Sequence, residues 1–193
     1  MIDRLKPRVY NNTHFGVIAS GISGNLASYS SATGGTIATN GDYKIHSFTS
    51  SGTFTVTQLG DSPNDVADIL VVAGGGGGGG NHAAGGGAGG VIYKSSHAVT
   101  AQSYSVVVGA GGAGGAAYGS NSGAVGIVGA DSSFDGLISK GGGFGGTWDN
   151  VGPWTSGGNG GSGGGALNAQ GGTDGTGIQT TQSGDSGTYG FGT

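Results

Sequence analysis

The sequence predicts an all-β fold, a β-sandwich or jelly-roll-like scaffold with glycine-rich helices of the polyglycine II type inserted in its loops. Three observations carry this. Short words of alternating or β-branched residues recur along the chain. Glycine numbers 51 among 193 residues, against a usual share of roughly 7%. Strong helix formers other than alanine are scarce, and glutamate is absent, so an α-rich fold is disfavoured.

The strand words come first. Tyr43 to Phe48 alternates, Ser50-Ser51-Gly52 turns, and Thr53-Phe54-Thr55-Val56-Thr57 alternates again with Phe54 and Val56 on one face. Period two with aromatic and β-branched residues is a strand signal. Gly60 to Asp65 is a loop of turn residues. Ala67 to Ala73 is an apolar run broken by one aspartate, as in a strand covered on both faces. Val91 to Lys94, Tyr104 to Val108, Ser132 to Phe134 and Leu137 to Lys140 follow, and Tyr189-Gly190-Phe191 could close the set. Many short strands with no helix between them indicate a sandwich or jelly roll.

The glycine has its own period. Ala110, Ala113 and Ala116 recur every third residue with paired glycines between them; Ala88 and Val91, Phe144 and Thr147, and Asn159 and Ser162 bracket glycine pairs in the same way. Three residues per turn is the polyproline II repeat. Collagen places one glycine per triplet and is rich in proline, whereas this chain has only three prolines. Helices with two bare faces can lie side by side, each pairing the backbone groups its neighbour leaves open. The third residue of each triplet is expected to point outward.

Residues 1–41 read differently, as an N-terminal arm or attachment segment ahead of the glycine-rich part, 42–193. Val9-Tyr10 and Phe15 to Ile18 are possible short strands there. Half of the chain's Lys and Arg, namely Arg4, Lys6 and Arg8, stand in its first eight positions and form a candidate contact with an acidic partner.

Charged residues make up 8% of the chain and the formal net charge is −4. No basic face exists to follow a nucleic-acid backbone. Cysteine is absent, which excludes a disulfide framework and thiolate metal sites. No apolar run approaches the roughly 18 residues of a membrane span, and no signal-peptide h-region is read after Met1. The polyglycine run satisfies G-x-G-x-x-G trivially, but more glycine and another strand follow it, so the dinucleotide fingerprint fails. His14, His46, His82 and His97 lack metal-ligand spacing. With no nucleophile elbow and no P-loop, an enzyme is not expected, nor a cofactor or metal.

The loops between glycine helices are the candidate binding positions. Thr147 to Thr155 holds both tryptophans, Trp148 and Trp154, with Asp149 and Asn150 between them. Aromatic rings beside hydrogen-bonding groups suit carbohydrate faces and protein hot spots. The alternative is that both rings fold inward and plug the end of the array. Tyr118, Asn121 and His82 occupy comparable loops.

Phe48 to Val56 (FTSSGTFTV), Ile69 to Gly80 (ILVVAGGGGGGG), Gly86 to Tyr93 (GGAGGVIY), Tyr104 to Gly115 (YSVVVGAGGAGG) and Ser132 to Gly143 (SSFDGLISKGGG) resemble the glycine-rich domain of bacteriophage tail-fibre and other virion proteins. The resemblance runs from about Asp42 to Thr193. It implies a β-sandwich with polyglycine II helices grown from its loops, located in a virion at the tail or capsid surface. It also implies tip loops that meet a host glycan or outer-membrane protein, and other virion proteins as partners through residues 1–41. Fibre components are commonly trimers, so a homotrimer is a possible state. The alternative role is architectural: a head fibre, a capsid decoration protein or a fibre adaptor without receptor contact.

Overall fold

The computed structural model describes residues 2–3, 28–117, 123–148, 156–167 and 171–179. Among them every regular element is a strand: β1 Ile2–Asp3, β2 Ser31–Thr33, β3 Thr36–Asn40, β4 Tyr43–Ser47, β5 Gly52–Gln58, β6 Val66–Val72, β7 Val91–Ala98, β8 Ser103–Val107, β9 Ser132–Phe134 and β10 Leu137–Ser139. They form two open sheets, one in the order β3-β4-β1-β6-β7 and the other β10-β9-β8-β5-β2. The words read as strands from Tyr43 onward are strands here. The possible strands at Val9-Tyr10, Phe15 to Ile18 and Tyr189 to Phe191 lie outside the described residues.

Two details differ from the sequence reading. The sheets take in residues ahead of Asp42: β2 pairs with β5, and β3 pairs with β4 from Thr36↔Ser47 to Asn40↔Tyr43. The Ser/Ala/Thr words that build them carry little apolar signal, and β3 is exposed along its whole length. Gly34 and Gly35, with φ of 109° and 64°, make the turn that brings β3 back, a conformation open to glycine. In β6, Leu70 and Val72 face solvent, so this strand is covered on one face over its second half.

The sheets meet across one core. Ala67, Ile69, Val71 and Ile92 come from the first, Phe54, Val56, Tyr104, Val106, Phe134 and Leu137 from the second. Phe54, Tyr104 and Phe134 pack as an aromatic cluster with centroids 5.4 to 6.3 Å apart. Each such ring, fully buried, contributes roughly 1.5–3 kcal/mol, and the alternation of inward and outward positions along β5 and β8 is what delivers them there. His97 Nε2 lies 2.8 Å from Asp135 Oδ2, tying β7 to the β9–β10 turn across the sandwich.

From one end of this base the chain rises and returns repeatedly as extended glycine segments: PG1 (73–80) leaves β6 and PG2 (84–90) enters β7; PG3 (109–117) leaves β8 and PG4 (123–130) enters β9; PG5 (140–147) leaves β10, followed by PG6 (156–161), PG7 (162–167) and PG8 (171–178). Hydrogen bonds run between these segments with period three. PG1 donates from Ala73, Gly76 and Gly79 to Gly90, Gly87 and Ala84 of PG2, and from Gly74, Gly77 and Gly80 to Ala130, Ile127 and Ala124 of PG4, at 2.8–3.1 Å. It accepts from Gly112 and Gly115 of PG3 and from Gly142 and Gly145 of PG5. PG5 bonds in turn to PG1, PG2, PG4, PG6 and PG7. This is the hexagonal packing of polyglycine II, in which each threefold backbone finds its partners on its neighbours because it has none within itself.

The outward third of each triplet behaves as expected in PG3, where Ala110, Ala113 and Ala116 are exposed. It fails in PG5: Thr147 is fully buried and the Phe144 ring fills the space a Cβ on Gly158 would need. PG5 is ringed by other segments, so its third face meets the array instead of solvent. At the root of PG5, the Asp131 carboxylate accepts the N–H of Gly141 at 2.8 Å and binds Lys140 Nζ at 2.7 Å. Partial burial works against that carboxyl's charge, but the Lys140 and Gly141 donors outweigh it and hold its pKa below the usual carboxylate value.

Contact at this distance distinguishes glycines in one helix. A methyl on Gly77 would sit on the carbonyl oxygen of Ala113, whereas one on Gly75 would meet its nearest atom, Gly87 O, at 3.7 Å. Gly77→Ala is expected to destabilise by about 3 kcal/mol or more, as overpacking against an immovable backbone does. Gly75→Ala should be neutral or stabilising by up to about 1 kcal/mol, through the unfolded chain. Urea unfolding of the two variants checks the contrast.

Candidate functional site

The far ends of the segments gather at the pole away from the sheets: 81–83 joins PG1 to PG2 there, and PG3, PG4, PG5, PG6, PG7 and PG8 end or begin there at 117, 123, 147, 156, 167 and 171. Ala117 and Gly123 bridge each other at the root of the second turn. The chain leaves the described part at Asp3, opposite Ala67 and Lys44, and re-enters at Ser28, which meets Asp61. Both points lie at the base of the sheets, so the flanks of segment 4–27 and the tip turns occupy opposite poles.

Two of the proposed tip residues are brought together. The ring of His82 stands 6.4 Å from that of Trp148, at 69° between planes. His82 is exposed and Trp148 half-buried. The local backbone explains the approach: Asn81 and His82 both adopt left-handed conformations, with φ of 46° and 37°, which reverse the chain tightly enough for PG2 to pack against PG1. The remaining site expectations, Tyr118, Asn121, Asp149, Asn150 and Trp154 at the tip and Arg4, Lys6 and Arg8 at the start, lie outside the described residues.

A residue that sequence reasoning set facing outward, Thr147, anchors this tip. Its hydroxyl donates to the carbonyl of Gly80 and lies 3.3 Å from that of Asn81, closing the end of PG1 just where the tip turn begins. Gly123 leaves room for it, since a Cβ there would strike both Thr147 Oγ1 and the Gly80 carbonyl. A threonine at the end of a glycine triplet is the one signal that pointed to it. The arrangement is a rigid rim carrying an aromatic ring and an imidazole at its edge, with backbone polar groups nearby. Such a rim can stack and hydrogen-bond a ligand. Among the described residues no three His, Cys, Asp or Glu side chains converge on a metal position.

Thr147→Val keeps the shape and removes the donor, leaving a buried carbonyl unpaired. A loss of about 1–3 kcal/mol is expected, with Thr147→Ser restoring most of it; thermal or urea unfolding measures both.

No curated protein and no solved structure matches this chain. A family model described as a glycine-rich domain matches residues 49–193, from within the β4–β5 turn through every glycine segment of the array. The match spans well over half of the chain, and this chain therefore belongs to the glycine-rich domain family.

Proposed function

We propose that this chain is a bacteriophage virion structural protein, a tail-fibre or tail-tip component that presents its tip turns to a host surface receptor. The single observation that carries the reading is the polarity of the fold. His82, Trp148 and the residues that flank 118–122 stand at one end of the glycine array, and the flanks of residues 4–27 lie at the other. Rigid hydrogen-bonded rods hold loops far from the body without ordering cost at the moment of contact, which suits an adhesin. The ligand class is a glycan or an outer-membrane protein, met by the Trp148 ring and its polar neighbours. Of residues 1–41, those outside β1, β2 and β3, with Arg4, Lys6 and Arg8, are the attachment to other virion proteins.

The half-burial of Trp148 against His82 supports a second reading, in which the ring caps the array and the protein is an architectural fibre or capsid piece. The two separate experimentally. Labelled full-length protein is applied to bacterial cells that the parent phage infects. The adhesin reading expects saturable binding that falls about ten-fold or more with Trp148→Ala plus Trp154→Ala, as hot-spot aromatics do, with the fold intact by circular dichroism. Absence of cell binding by the wild type, or binding unchanged in the double variant, contradicts it.

A further inference from the structure

Two Asn-Gly pairs occur in the chain, Asn40-Gly41 and Asn159-Gly160, and the fold treats them differently. In such a pair the asparagine amide is open to attack by the backbone nitrogen that follows it, because glycine has no Cβ to crowd that nitrogen. Asn40 closes β3 opposite Tyr43, and Gly41 begins the two-residue turn into β4. With φ of 58° at Gly41, glycine takes the first central position of a type II′ turn. Both residues are exposed, and a Cβ on Gly41 would meet nothing within 4 Å. Among the described residues neither the Asn40 side chain nor the Gly41 N–H makes a hydrogen bond. Asn159-Gly160 stands inside the array. Asn159 Oδ1 accepts the N–H of Thr176 at 2.8 Å, and the Gly160 N–H is donated to the Thr176 carbonyl at 3.2 Å. Gly160 is buried, with the Gly143 nitrogen where its Cβ would stand. Both groups that would have to meet are held apart by the same neighbour.

We propose that Asn40 is a site of spontaneous covalent modification, at which the side-chain amide is lost and aspartate or isoaspartate is formed. The Gly41 amide nitrogen gives its proton to hydroxide and attacks Cγ of Asn40. A C–N bond forms, the Cγ–Nδ2 bond breaks and ammonia leaves, closing a five-membered succinimide. Water then opens the ring. Cleavage at Cγ gives aspartate, and cleavage at the backbone carbonyl gives isoaspartate, so one water is consumed for each ammonia released. Attack requires the hairpin end to leave its strand conformation, and the tip of an exposed edge hairpin is among the parts of a fold that open most cheaply. β3 is the outer strand of its sheet and exposed along its whole length. The same opening at Asn159 must first break both bonds to Thr176. Either product sets a new carboxylate beside Asp42 and lowers the formal net charge of −4 by one unit. Isoaspartate also lengthens the main chain by one methylene at the pair Asn40↔Tyr43, which ends the β3–β4 ladder early while the core and the array hold. The inference is independent of receptor binding at the tip and of attachment at the base.

The test is a time course of the folded, full-length protein at mildly alkaline pH and body temperature, read by peptide mass mapping, with isoaspartate counted by enzymatic methyl transfer. Conversion at Asn40 is expected to run at least about ten-fold faster than at Asn159, on the scale of the one or two hydrogen bonds that must first break there. In urea, where neither pair has structure, the two rates should converge. Asn40→Gln, whose longer side chain cannot close the five-membered ring, should abolish the product at this position and leave Asn159 and the circular dichroism spectrum unchanged. Three results overturn the inference. One is an Asn40 that stays intact in the folded protein while the urea-unfolded chain converts. Another is conversion of Asn159 as fast as Asn40 in the folded protein. The third is a rate ratio that persists in urea, which would make the neighbouring sequence, and not the fold, its cause.

Discussion

Close approach of bare backbones is the constraint on which this molecule rests. A threefold extended helix makes no hydrogen bond within itself, so the inward N–H groups of the glycine segments need carbonyls on neighbours, and the neighbours must come near enough to offer them. Any side chain on the facing positions would strike a carbonyl of a further neighbouring segment, as the surroundings of Gly74, Gly76, Gly77, Gly79 and Gly80 make plain. Net gains of about 0.5–1.5 kcal/mol per bond oppose an ordering cost of about 1–2 kcal/mol per residue. An isolated segment could not hold. The sandwich supplies what the glycine lacks: β6, β7, β8, β9 and β10 fix the roots of PG1 to PG5, so the chain enters each segment already aligned.

This division of labour runs through the whole structure. The base is an ordinary apolar core, with Phe54, Ile69, Ile92 and Phe134 almost wholly enclosed. The array has hardly any apolar core and is held by backbone pairing, which leaves its outer residues free to vary. At its end, Thr147 ties the tip of PG1 to PG5, and the left-handed pair Asn81 and His82 turns the chain over the rim. A stiff platform of this kind transmits the position of its root directly to its turns, which is the property a display module requires.

Much of this was legible in the residues. Strict alternation in Thr53 to Thr57 marked β5, and the triplet spacing of Ala110, Ala113 and Ala116 marked a threefold helix with one exposed row. What escaped was set by neighbours distant in sequence. Nothing local tells that Thr147 points inward while Ala113 points outward, because the difference is that PG5 is surrounded and PG3 lies at the edge. β2 and β3 escaped because Ser, Ala and Thr in an exposed ladder carry no hydrophobic period, and their pairing depends on β5 and β4. The His82–Trp148 contact joins residues 66 positions apart and exists only because PG1 and PG5 are lattice neighbours. Tertiary geometry, absent from any window of sequence, decided each case.

The most direct measurement is residue-resolved amide hydrogen exchange across PG1 in the native protein. Interlocked threefold backbones give a patterned result: Gly76, Gly77, Gly79 and Gly80, whose N–H groups are bonded to PG2 and PG4, exchange slowly. Gly75 and Gly78, which find no acceptor among the described residues, exchange fast. Uniformly fast exchange from Gly74 to Gly80, at the rate of an unstructured peptide, would contradict the account and leave the glycine run as a tether.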